Sequence, residues 1–337
     1  TIQLDFQLCG RFGCEYIDKD DQKITPVLIH ENGEHKFKSI TVQGEEASGG
    51  EATIFYTTGG KFSYQDKISY DESMFNSRLE LRAIGKVKDI HAWVPVSRWN
   101  PTLQGLPRGT SKLPNNFNWD LWLGPRKVRD FHEAYTPVTW RDFWAFGCGA
   151  MGDFGCHDMD AAVWAYDLGT PETVEFKPAG YNDSEIAPYG EIGYYNFAGK
   201  GNQSPIKLTW YSGGLRPESH EALPQGYSWP SRGTMFVGDK GILINERGNR
   251  APKFFPESLE KSYTPPNPSI VRSNGHYRDW IDGIKNGHSA SSNFEYGARL
   301  TEITLLGVLS LRLGGEKIYW DTKNMKAIGL PEADKLI

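Results

Sequence analysis

The feature that most limits what this chain can become is the spacing of its short β-type runs. Thr1-Ile-Gln-Leu-Asp-Phe-Gln-Leu8 alternates strictly, and Pro26–His30, Phe37–Val42 and Ala52–Thr58 are short, β-branched and aromatic. Asn32-Gly33 and Gly59-Gly60 supply turn signals. No helical pattern intervenes, so residues 1–70 read as antiparallel sheet. Met74, Phe75, Leu79, Leu81 and Ile84 then fit a helical stripe that Gly85 would stop. Val87–Val96 reads as a strand. A long segment rich in Pro, Gly, Asn and Trp runs from Ser97 to about Tyr135, and a loop of that length usually has a function or wraps a neighbour.

Further strands are expected around Val174, over Glu191–Phe197, Ile206–Tyr211, Thr234–Gly238 and Gly241–Ile244, and at Ile318–Trp320. Asp239-Lys-Gly241 is a tight turn. Helices are expected over residues 150–167, over Tyr277–Ile284 with Trp280, Ile281 and Ile284 on one side, and over Phe294–Leu313. Many strands beside few helices give an α+β class: a largely antiparallel open sheet with helices on one face, preceded by a β-rich segment. The expected division is a β-rich region over 1–70 and a substrate and oligomerisation domain over 71–337.

Composition excludes several roles. The 337 residues carry a net charge of −5 with scattered lysines and arginines, so no basic block marks a nucleic-acid or anionic-membrane surface. Leu300–Leu313 is the most apolar stretch. It is interrupted by Thr, Glu, Ser and Arg and falls short of the roughly 18 apolar residues of a membrane span. Four cysteines are too few for a disulfide scaffold. Cys148, Cys156 and His157 suggest zinc, but no second Cys/His cluster completes such a site. The chain starts at Thr1 with no leader pattern, which fits either a removed leader or an incomplete N-terminus, and the compartment, cytoplasmic or periplasmic, is left open. Eleven tryptophans, among them Trp99, Trp119, Trp122, Trp140, Trp144, Trp210 and Trp229, suit either the stacking of sugar rings or the anchoring of long loops.

Chemistry concentrates in Gly147-Cys-Gly-Ala-Met-Gly-Asp-Phe-Gly-Cys-His-Asp-Met-Asp160. Glycines open it, and a helix follows. Asp153 and His157, four residues apart, share one helix face. A neutral imidazole beside a carboxylate suits proton transfer near neutral pH. Packing and capping of the helix start is the competing reading, and Asp160 adds a third polar group on nearly the same face.

From about residue 76 onward the chain resembles the C-terminal domain of the Gfo/Idh/MocA oxidoreductases. The resemblance is carried by Ala83–His91, Gln104–Arg108, Trp119-Asp-Leu-Trp-Leu-Gly-Pro125, Trp140-Arg141, the Gly147–Asp160 motif, Leu208–Pro217, Phe236–Gly241, Arg272–His276 with Trp280-Ile-Asp282, and Ser292-Asn-Phe. It implies a carbohydrate or polyol oxidoreductase that uses NAD or NADP and binds a small sugar or glycoside. Asp153 and His157 map onto the family's Asp-x-Gly-x-His pattern. Arg141, Trp144, Tyr211, Arg216 and His276 lie in segments expected to reach the substrate. The resemblance also implies homo-oligomers through the sheet face.

The family's dinucleotide-binding Gly-x-Gly-x-x-Gly turn is not visible. Cys9-Gly-Arg-Phe-Gly-Cys14 has two glycines without the fingerprint, and the Glu-Lys-Pro lysine is missing. The rival to an oxidoreductase is therefore a non-redox sugar-binding, lyase or hydrolase protein that reuses the domain with a β-rich accessory module.

Overall fold

The computed structural model describes the strands that lie between residues 4 and 47, and residues 83–337 apart from 200–203, 247–251, 265–272 and 274. The chain divides into two compact units, 1–69 and 70–337. In the first, β1 (Leu4–Phe6), β2 (Tyr16–Asp18), β3 (Lys23–Glu31), β4 (Glu34–Val42) and β5 (Glu45–Ala47) form an antiparallel sheet in chain order. Glu31 pairs with Glu34, so β3 and β4 meet on either side of Asn32-Gly33. The strand expected at Ala52–Thr58, most of the helix expected around Met74 to Leu81, and the Cys9–Cys14 segment lie outside the described residues.

The second unit is built on nine strands. They are β6 (Val87–Trp93), β7 (Thr173–Ala179), β8 (Gly190–Phe197), β9 (Ile206–Tyr211), β10 (Gly233–Gly238), β11 (Ile242–Glu246), β12 (Lys253–Phe255), β13 (Ile318–Asp321) and β14 (Lys326–Ala327). Their order is β12-β11-β10-β6-β9-β8-β7-β13-β14. Every neighbouring pair is antiparallel except β6 and β9 at the centre. The fold is thus α+β with a mostly antiparallel open sheet.

Six α-helices are described: α1 (Trp119–Leu123), α2 (Gly149–Asp158), α3 (Asp160–Tyr166), α4 (Glu257–Ser262), α5 (His276–Asn286) and α6 (Phe294–Arg312). Strand side chains alternate between faces. On one face Ile90, Ala92, Leu208, Trp210, Val174, Phe176, Tyr195 and Phe236 join Met151, Met159 and Val163 of α2–α3 and Leu300, Ile303 and Leu306 of α6 in the main core. On the other face Trp93, Met235, Ile242 and Ile244 pack with Leu223, flanked by Tyr211, Tyr227 and Trp229.

The long loop after β6 is held by a core of its own, Leu103, Tyr135, Phe143 and Ile186. The helix anticipated over 150–167 forms as α2 and α3, joined at Met159, whose amide donates to the Gly155 carbonyl and whose carbonyl accepts from Val163, both at 3.0 Å. α5 spans its expected residues, and none of them is buried: Trp280 and Ile284 are 62% and 67% exposed.

Candidate functional site

The glycines of the sequence motif serve packing. Gly149 starts α2 at φ +64°, where a side chain would be strained, and a Cβ there would come within 2.8 Å of Ala187. A Cβ on Gly155 would come within 2.8 Å of Thr304 on α6. These positions let α2 sit tightly between the β8 entry and α6. Cys156 faces the same neighbour, its Sγ 3.3 Å from the Thr304 hydroxyl.

With its glycine face packed inward, α2 presents Asp153 and His157 outward. Asp153 is part-exposed and His157 exposed. Arg141 Nε donates to Asp153 Oδ1 at 3.2 Å, with both side chains about three-tenths exposed. The Arg141 guanidinium lies over the rings of Trp140 at 4.5 Å and Trp99 at 5.4 Å. The Trp99 ring is stacked against Phe154 at 6.3 Å, and Phe154 meets the His157 ring edge-on at 6.3 Å.

Trp99 is placed by a buried support. The Asp142 carboxylate, fully buried, accepts the amides of Trp99 at 2.8 Å and Asn100 at 2.7 Å. Burial pushes its carboxyl pKa up, against the pull of those amides and of nearby Arg98. Arg98 donates to the carbonyls of Asn100, Pro101, Tyr181 and Ala187 and closes the loop over β8.

The last turn of α2 turns its acid inward. Asp158, its side chain fully buried, receives both Nε and Nη2 of Arg232 in a forked pair. Thr234 donates to the Asp158 carbonyl at 2.8 Å, and Arg232 covers the Phe154 ring at 5.0 Å. Asp160, the first residue of α3, accepts the Tyr296 hydroxyl.

Of the residues anticipated from sequence, Asp153, His157 and Arg141 stand together. Trp144 is 9% exposed in the helix-side core, its indole donating to the Asp183 carbonyl at 3.1 Å. Tyr211 projects from the opposite sheet face to Trp210, and its hydroxyl bonds to His91 Nδ1 at 3.1 Å. Arg216 donates to the carbonyls of Pro230 and Ser231, next to Arg232. His276 is exposed at the start of α5, its ring 5.4 Å from that of Tyr277.

Arg232, Asp158 and Asp142 are not among the site residues the sequence suggests, and Trp99 enters there only as one of the tryptophans suited to stacking sugar rings or to anchoring loops. Asp158 carried a usable signal: it adjoins His157 on a helix whose other face was already assigned to chemistry. Arg232, 74 residues further on, carried none.

Among the described residues no group of three His, Cys, Asp or Glu side chains could hold a metal ion. A Cβ at Gly147 would meet the backbone of Arg141 at 2.7 Å, so the turn into α2 packs closely against the segment before it. Among the described residues no helix is long and apolar enough to cross a membrane.

Residues 98–200 match the model of the oxidoreductase family C-terminal alpha/beta domain, GFO_IDH_MocA_C2. The matched span is similar to that C-terminal domain, and it contains Trp99, Arg141, Asp153 and His157.

A search of curated proteins finds no match. Among solved structures, the WlbA dehydrogenase from Bordetella pertussis, in complex with NADH and UDP-GlcNAcA, is 14% identical with a TM-score of 0.43, over 74% of this chain and 60% of that one. An oxidoreductase from Thermotoga maritima is 13% identical with a TM-score of 0.38, over 74% and 59%. Levoglucosan dehydrogenase, in complex with NADH and levoglucosan, is 14% identical with a TM-score of 0.36, over 73% and 61%. The chain thus spans about 60% of the length of these structures.

Proposed function

We propose that residues 71–337 form the substrate-binding part of a sugar or polyol oxidoreductase, with the acid–base pair Asp153 and His157 at its centre. The observation that carries this reading is their shared, solvent-facing side of α2 beside Trp99, Trp140 and Phe154, within the domain matched to the family. Sugars present C–H faces to rings and hydroxyls to polar groups, and this surface offers both.

His157 receives the proton of a sugar hydroxyl. Asp153 orients the imidazole or binds a neighbouring hydroxyl, and Arg141, held by Asp153, offers its remaining N–H groups to a further oxygen. Oxidation of a secondary alcohol also needs a hydride acceptor, which NAD or NADP supplies in this class of reaction. Self-association through the outer sheet face, where His91 and Tyr211 lie, belongs to the same proposal.

The test is calorimetric titration of the purified chain with glucose, galactose, mannose and inositol, and separately with NAD and NADP. The account expects a sugar or polyol to bind. Reduction of NAD or NADP by the bound sugar would establish the full oxidoreductase in this chain. Failure of every sugar and polyol to bind would overturn the reading.

A further inference from the structure

The electrostatics of the same surface narrow its ligand. This inference rests on the sugar-binding reading above. Two guanidinium groups flank the rings, and each already holds a carboxylate of α2: Arg141 with Asp153 and Arg232 with Asp158. The arginines and rings form one continuous ladder, Arg232 on Phe154, Phe154 on Trp99, Trp99 under Arg141, and Arg141 on Trp140. Asp160, at the start of α3, is bonded to the uncharged hydroxyl of Tyr296.

Recognition of a carboxylate or phosphate relies on an arginine fork that is open to it. Here the fork of Arg232 is occupied by Asp158 on two nitrogens, and Arg141 is engaged by Asp153 and by the Val138 carbonyl. An anionic ligand would meet the Asp153 carboxylate before it met an uncompensated cation. Like charges set side by side cost affinity and exclude the wrong ligand. A neutral sugar pays no such cost, and it gains from the ring ladder and the spare N–H edges.

We propose that this site selects uncharged sugars and rejects their acidic counterparts, with the Arg141–Asp153 pair as the specificity determinant. Calorimetry would compare glucose, galactose and mannose with glucuronate, galacturonate and mannuronate on the purified chain. The neutral member of the pair that binds is expected to be at least about tenfold tighter.

Two variants move that preference in opposite directions. Asp153→Asn removes the repelling carboxylate and releases Arg141, so the preference narrows by roughly tenfold. Arg141→Gln leaves Asp153 without its counter-charge, so the preference widens. Each variant reads the pair separately, so a folding failure in one leaves the other to decide. A uronate that binds as tightly as its neutral sugar, or variants that shift the preference in the same direction, would overturn the proposal while leaving the sugar-binding reading intact. Absence of binding by every sugar in both series would overturn the sugar-binding reading itself.

Discussion

Asp153 and Asp158 leave the same short helix five residues apart, and each meets an arginine from outside it. The Asp153–Arg141 pair is part-exposed and single-stranded, with one hydrogen bond of 3.2 Å. The Asp158–Arg232 pair is forked and buries the carboxylate completely. Water screens the first, whereas in the second it reaches only the arginine, 23% exposed, and not the carboxylate. One helix therefore carries an adjustable pair on its outer side and a fixed one on its inner side. The difference separates what α2 presents from what holds α2 in place.

The largest effect should come from breaking the inner pair. Asp158→Asn removes the fully buried carboxylate from its forked pair with the part-exposed Arg232 and should cost about 2–3 kcal/mol of stability in urea denaturation. Asp153→Asn, at the screened pair, should cost under about 1 kcal/mol. Equal costs would erase the distinction between the two sides of the helix.

A third acid sharpens the contrast. Glu191 is as buried as Asp158 but meets only neutral donors, the Trp210 indole at 3.1 Å and the Ser212 hydroxyl. Burial pushes its carboxyl up to about 7. The folded state therefore binds a proton that the unfolded chain has released, and stability falls as pH rises from 4.5 to about 7.

On the opposite face His91 is lowered to about 4, chiefly by burial. The unfolded chain then binds the extra proton, so the His91 contribution is complete above pH 6.5 and is lost as pH falls toward 4. The two slopes oppose each other between pH 4.5 and 6.5. Glu191→Gln should unmask a stability that rises with pH in that window, and His91→Asn one that falls, each by roughly 2–3 kcal/mol across its span. Unchanged slopes in both variants would refute the assigned burial.

Much of this architecture was legible in the sequence. The alternating runs of β7 and β8 and the long apolar stretch of α6 carry their period openly, because one face of each meets the core. That Asp153 and His157 share one face follows from helical spacing alone. The inward turn of Asp158 does not, since it meets an arginine that only the completed sheet brings near. Trp144 shows the same limit. Its place between two site segments gave no sign that the ring would be enclosed and its indole spent on Asp183. Sequence spacing reports which residues share a helix face, whereas long-range partners decide which polar groups that face has left to offer.

The most direct test of the account is His157→Asn, read for sugar affinity and melting temperature on the same sample. The account predicts that affinity for the bound sugar falls by about tenfold or more while the melting temperature stays within roughly 2 °C, because His157 is exposed and its loss leaves the core untouched. A variant that binds sugar as well as the parent chain, or that loses affinity only by melting many degrees lower, would contradict it.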